Sequence, residues 1–136
     1  MSWLLDTNAC IDYLKRGTPA IRERLRATKP GDVYLCSIVK SELLYGAYKS
    51  QDPERTLRAQ RAFFRCFPSL EFDDRCADIL GRIRAELSRA GGLIGPYDTM
   101  IAAIAIANGL TLVTNNTAEF RRVAHLSIED WKAAER

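Results

Sequence analysis

The apolar positions of this chain fall into short compact runs, separated by longer stretches in which apolar residues recur every three or four places. Trp3-Leu4-Leu5 ends abruptly at Asp6-Thr7-Asn8, residue types that favour turns and helix caps, so it reads as a short buried strand followed by a helix over about 8–15. Gly17, Thr18 and Pro19 break that helix and open a second near 19–28, where Ile21 and Leu25 form the apolar stripe; Pro30-Gly31-Asp32 closes it. Val33 to Cys36 reads as a second strand, and Ile38, Leu43, Leu44 and Ala47 give the spacing of a helix over 38–49.

From Glu54 to Phe67 a further helix gathers Leu57, Phe63, Phe64 and Phe67 on one side, most simply core or interface. Arg55, Arg58, Arg61 and Arg65 fall on the other side. Leu70 and Phe72 suggest a third strand; Asp73 or Asp74 can cap a helix running to about Ala90, closed by Gly91 and Gly92. Pro96 opens a helix that runs to Asn108-Gly109, Leu110 to Val113 is a fourth strand, and a weak last strand is expected near Leu126 to Ile128. Strands alternating with helices imply parallel pairing through right-handed crossovers, hence an α/β sandwich with helices on both faces of the sheet.

Composition narrows the chemistry. The 136 residues suit one domain, and 47% hydrophobic with 27% charged residues is ordinary for a globular chain. No basic segment followed by a long apolar stretch opens the sequence, and the longest apolar stretch, Met100 to Val113, is interrupted by Asn108 and Gly109; a soluble cytoplasmic protein is expected, with no membrane contact. The four cysteines form no C-x-x-C pair, and three of them sit in apolar surroundings typical of buried thiols. With one histidine, His125, neither a histidine zinc cluster nor a Ser-His-Asp triad has much to draw on. Carboxylate chemistry remains.

In an open α/β sheet, ligands bind at the carboxyl ends of the strands. Asp6 and Glu119 follow predicted strands, while Glu42 and Asp98 stand early in helices that start at the same edge. Each has a structural alternative. Asp6 can cap a helix, Asp98 complements a helix dipole, and Asn116-Thr117-Ala118-Glu119 resembles a capping box. Glu42 shares the apolar helical face of Ile38, Val39 and Tyr45, where an unpaired carboxylate takes up a proton, finds a cation or binds metal. Four converging acids repel one another unless divalent cations neutralise them, and all-oxygen ligands favour Mg²⁺ or Mn²⁺. The chemistry that follows is phosphodiester hydrolysis.

Together these motifs resemble the PIN-domain ribonucleases, specifically the VapC-type toxins of toxin–antitoxin pairs. The resemblance spans nearly the whole chain: Leu4-Leu5-Asp6-Thr7-Asn8, Ser41-Glu42-Leu43 with Tyr45-Gly46, Asp98 before Ile101-Ala102-Ala103, Leu112-Val113-Thr114-Asn115-Asn116 before Glu119-Phe120, and His125-Leu126 through Glu129-Asp130-Trp131. It implies a single PIN domain over 1–136, built as a PIN-like three-layer α/β/α sandwich on a mainly parallel sheet of four to five strands. It also implies a Mg²⁺- or Mn²⁺-dependent endoribonuclease acting on tRNA or rRNA, a homodimer, and inhibition by a cognate VapB-type antitoxin, with a hetero-oligomer of the two as a further assembly. Asp6 and Asp98 would be the main metal ligands, Glu42 an additional acid, and Thr7, Asn8, Thr114, Asn115 and Asn116 supporting polar groups. Many relatives carry an aspartate in the turn after the last central strand, where this chain has Asn116 and then Glu119; Glu119 is either a second-site ligand or a capping acid.

Positive charge is uneven: Lys15, Arg16, Arg22, Arg24, Arg26 and Lys29 against Glu23 leave +5 between residues 15 and 29. The first five of these, and the Arg55–Arg65 stripe, are candidate RNA-phosphate contacts, with a solvated helix face as the alternative. Tyr97, beside Asp98, reads as a core ring, with stacking on a base as its functional alternative. Two rival functions stand beside the nuclease. One is a PIN-like module that binds RNA or protein without cutting. The other is a phosphohydrolase with Asp6 as nucleophile, for which Asn8 leaves the usual Asp-x-Asp partner missing.

Overall fold

A computed structural model describes residues 1–15 and 17–132. Its strands are β1 (Trp3–Leu5), β2 (Val33–Cys36), β3 (Ser69–Leu70), β4 (Thr111–Val113) and β5 (Ile128–Glu129). Its helices are α1 (Thr7–Leu14), α2 (Pro19–Ala27), α3 (Ser37–Tyr48), α4 (Pro53–Phe64), α5 (Asp74–Arg89), α6 (Pro96–Ala107) and the single turn α7 (Thr117–Phe120). The sheet is parallel throughout, in the order β3-β2-β1-β4-β5. Chain order therefore reverses at β1, which lies between β2 and β4, and the crevice beyond the carboxyl ends of β1 and β4 is the switch point where such sheets bind ligands.

Burial on both faces explains why β1 and β4 are almost purely apolar: Leu4, Leu5, Leu112 and Val113 are buried, in register as Leu4 with Leu112 and Leu5 with Val113. Helix α6 is the most buried, with Ile101 to Ala105 continuously inside; it packs on α5 and α3. The phenylalanine face of α4 goes to the core. Phe63 stacks on Tyr13 with centroids 5.1 Å apart and meets Phe67 edge-on at 5.2 Å. Arg55, Arg58, Arg61 and Arg65 are exposed.

Three boundaries differ from the sequence pattern. Helix α4 stops at Phe64 rather than Phe67 because Pro68 disfavours helical backbone before it and its carbonyl accepts the Leu35 N–H at 2.9 Å, turning the chain into the sheet. Phe72 falls outside β3. The last strand is Ile128–Glu129 rather than 126–128, since pairing of Leu112 with Ile128 and of Val113 with Glu129 sets its register. Among the described residues no helix is long and apolar enough to cross a membrane.

Candidate active site

At the switch point the backbone N–H of Asp6 donates to the Val113 carbonyl at 3.1 Å, tying the end of β1 to the end of β4. The Asp6 side chain then turns back as the N-cap of α1, where Oδ1 accepts the Ala9 N–H at 2.8 Å. The capping alternative is thus real, yet it occupies one oxygen of a carboxylate that is only 4% exposed. Burial pushes Asp6 up to about 6; hydrogen bonds from Thr114 and Ala9 oppose the shift, and the charges of Asp98 and Glu42 add to it.

Asp98 occupies the first turn of α6 and is half-buried. Desolvation raises its pKa first, followed by the charges of Glu42 and Glu119. Glu42, on α3, accepts the Thr7 hydroxyl at 2.7 Å, so the first residue of α1 orients it. Glu119, on α7, is exposed and accepts the Asn116 side-chain amide at 2.9 Å. The capping box read from the sequence is not formed: Asn116 is the N-cap, but its side chain makes no cap bond and turns to Glu119 instead. Glu119 acts electrostatically on Asp98 but is not among the charges that move Asp6.

The acids are therefore brought within electrostatic reach around Asp98. Among the described residues no three or more His, Cys, Asp or Glu side chains form a ready ligand cluster. The set fits a hard divalent cation that keeps several of its own waters better than a closed protein cage. A buried carboxylate raised to about 6 by desolvation and like charge is the kind of donor that a cation would relieve.

Thr114 is buried and links the two sides of the crevice: its hydroxyl serves Asp6 and accepts the Asn116 backbone N–H at 2.9 Å. Thr114→Val should lift the Asp6 pKa above about 6 by removing a hydrogen bond to the ionised form. Titration of the Asp6 carboxyl carbon by NMR measures it, and an unchanged or lower midpoint would refute the link. Asn8 and Asn115 are exposed at the same strand ends. Sequence reasoning does not single out Gly95, where a Cβ would stand 3.4 Å from Asp98 Oδ2; its bare backbone leaves that carboxylate its place. The only sequence signal is a glycine just before a helix-opening proline.

The basic segment is rearranged by the fold. Arg22 Nη2 donates to the Tyr13 carbonyl and its guanidinium lies 4.5 Å from the Tyr13 ring centroid. Arg24 pairs with Glu129 at 3.1 Å and lies 4.8 Å from the Trp131 ring centroid. Of the residues predicted for phosphate contact, Arg22 and Arg24 also hold α2 to its neighbours. Lys15 and Arg26 are exposed, and Arg16 lies outside the described residues. Tyr97 is 54% exposed, so its ring is not the core ring read from the sequence. Cys10, Cys36 and Cys76 are buried free thiols and Cys66 is exposed.

Comparison with known proteins agrees with this arrangement. Residues 3–126 match the PIN domain family. The chain is 44% identical over 131 residues to the tRNA(fMet)-specific endonuclease VapC of Shigella flexneri, covering 96% of this chain and 98% of that one. It is 40% identical over 131 residues to Ribonuclease VapC2 of Haemophilus influenzae, at the same coverage. DNA-bound VapBC from Salmonella typhimurium superposes with a TM-score of 0.91 at 44% identity, over 96% of this chain and 98% of that one. VapBC-1 from nontypeable Haemophilus influenzae superposes with a TM-score of 0.90 at 30% identity, over 98% and 100%. With acids at the switch point of a parallel sheet and relatives of this closeness along nearly its full length, the chain belongs to the PIN domain family, among its VapC ribonucleases.

Proposed function

We propose that this protein is the toxin of a toxin–antitoxin pair, a single PIN domain over 1–136 that hydrolyses RNA phosphodiester bonds with the help of Mg²⁺ or Mn²⁺. The observation that carries the reading is the buried Asp6 carboxylate at the β1–β4 crevice, with the charges of Glu42 and Asp98 bearing on it. The name of the Shigella relative favours tRNA over rRNA as the target class. The VapBC complexes favour a VapB-type antitoxin as inhibitor, and a homodimer acting in the cytoplasm completes the family expectation.

Asp6 and Asp98 would hold the cation, Glu42 would support it directly or through water, and Glu119 would serve a second site beside Asp98. When bound, a divalent cation polarises phosphoryl oxygens and brings the pKa of a coordinated water towards neutrality. The chain's own groups do the positioning. Thr7 fixes Glu42, while Thr114 and the Ala9 N–H keep Asp6 ionised against the cost of burial. Lys15 and Arg26 remain as phosphate contacts, supplying affinity more than sequence choice.

Removal of metal with EDTA should stop cleavage of tRNA by the purified protein, and Mg²⁺ or Mn²⁺ should restore it. Asp98→Asn should lower the restored rate on the order of a hundredfold or more without altering the circular dichroism spectrum. Cleavage that survives EDTA would defeat the metal reading. RNA bound tightly but never cut, with metal present, would favour the non-catalytic module.

A further inference from the structure

Four arginines of α4 and its cap carry charge that the fold leaves uncompensated. Arg55, Arg58, Arg61 and Arg65 recur at spacings of three and four, so they rise along the outer side of the helix while Gln60 and Phe63 are buried on the inner one. All four are exposed, and among the described residues none forms an ion pair, a side-chain hydrogen bond or a ring contact. Arg22, Arg24, Arg75 and Arg82, by contrast, each have a partner within the chain. Glu54 is the single acid of α4. Like charges at this spacing repel, and Arg55, in the first turn, also opposes the helix dipole, so the row works against its own helix. At its amino end Arg55 lines one depression with Lys15, the C-cap of α1. The row thus continues onto α1, whose first residue, Thr7, holds Glu42 about 12 Å further on at 1.5 Å per residue.

We infer that the arginine row of α4 is a remote docking surface for the sugar–phosphate backbone of RNA, which it grips some way along the chain from the bond that is cut, with Lys15 bridging the row to α1. The inference rests on the ribonuclease reading above and adds to it a second place of contact, outside the acidic crevice. Charge complementarity and dimension both support it. Ten residues of helix span about 15 Å, the length faced by about four phosphates of one strand of a nucleic acid helix. Guanidinium groups bind phosphate through paired N–H donors, and these donors are unused within the fold. A polyanion laid along α4 would also remove the repulsion within the row. Contacts of this kind supply affinity and orientation without reading sequence, so the row would hold the RNA while the acids do the chemistry.

The test compares a fluorescent tRNA transcript with a short hairpin cut from it that carries the cleavage site, both titrated by anisotropy into the full-length protein with Asp6→Asn, so that binding is read without cleavage. Adding Arg58→Ala and Arg61→Ala together should weaken the transcript on the order of tenfold, make the slope of log affinity against log salt shallower by about 1.5, and leave the hairpin nearly unchanged. These arginines are exposed, so the fold should survive their loss. In the protein with Asp6 intact, the same pair of changes should raise KM for the transcript about tenfold and alter kcat much less. A salt slope and KM that do not move would return the row to a solvated helix face and overturn the docking surface. Equal losses on transcript and hairpin would place the arginines at the cleavage site itself and also overturn it. So would weaker binding of the VapB-type antitoxin with RNA binding intact, which would assign the row to an acidic peptide. Absence of metal-dependent cleavage by the unaltered protein would instead remove the ribonuclease reading.

Discussion

Asp6→Asn is expected to abolish metal-dependent RNA cleavage and, in the absence of metal, to make the folded protein more stable at neutral pH. Burial lifts the carboxyl to about 6 in the fold against 3.8 for a solvated aspartate, so between roughly pH 4 and 6 the native state holds a proton that the unfolded chain has released. Stability is therefore lost as pH rises through that window. Above it the ionised carboxylate costs up to about 3 kcal/mol, taking 1.36 kcal/mol per pH unit. Asparagine has almost the same shape, still accepts the Ala9 N–H, and lets the Thr114 hydroxyl rotate to accept from its amide, so it keeps the cap without the charge.

Thermal unfolding in EDTA from pH 4 to 8 should give curves that meet at the acid end and separate as pH rises, the variant several degrees higher at pH 7.5. Divalent cation should raise the melting temperature of the unaltered protein and leave the variant nearly where it was. Cleavage falls because the buried oxygen that would face the cation is gone. A variant that is less stable at pH 7.5, or that still cuts RNA, would show that Asp6 is only a helix cap.

Trp131→Ala should be the most damaging single change to the fold, costing about 3–5 kcal/mol. The indole is buried, meets Trp3 edge-on with centroids 5.7 Å apart, lies under Arg24, and donates to Glu129 at 3.1 Å. Trp3 Nε1 also donates to Glu129 at 3.1 Å, as does Arg24. One carboxylate in β5 thus gathers three donors, and the tryptophan shields them. Truncating the ring leaves a cavity under β5 and exposes the Arg24–Glu129 pair to water, which weakens it. Urea titration followed by tryptophan fluorescence, with Trp3 as the remaining reporter, measures the loss; a midpoint shift worth less than about 1 kcal/mol would show that β5 is held by its backbone pairing alone.

Much of the architecture was legible because the signals are local. The alternation of compact apolar runs with three-and-four spacing placed β1, β2, β4 and the long helices to within a few residues, and Asp6 was visible as the residue where an apolar run ends. The corrections fall where a local pattern competes with a distant partner. Phe67 has helical spacing, but Pro68 and the pairing with β2 draw the chain out of α4. Asn116 and Glu119 have capping-box spacing, yet the Asn116 amide finds the Glu119 carboxylate and leaves the cap unmade. Arg22 and Arg24 read from the sequence as candidate phosphate contacts or a solvated face, and only the fold shows that Tyr13, Glu129 and Trp131 lie beside them.

The sequence by itself determined the order and approximate extent of the main strands and helices, and marked Asp6, Glu42 and Asp98 as acids near strand-to-helix junctions, because periodicity and strand-to-helix order depend only on near neighbours. The tertiary structure alone decided that the Asp6 carboxylate is buried and raised to about 6, that Glu119 acts on Asp98 but is not among the charges that move Asp6, and that Tyr97 stands in solvent instead of the core. Desolvation, charge and exposure are set by atoms far apart in sequence, and no spacing of residues along a chain encodes what lies across a crevice from it.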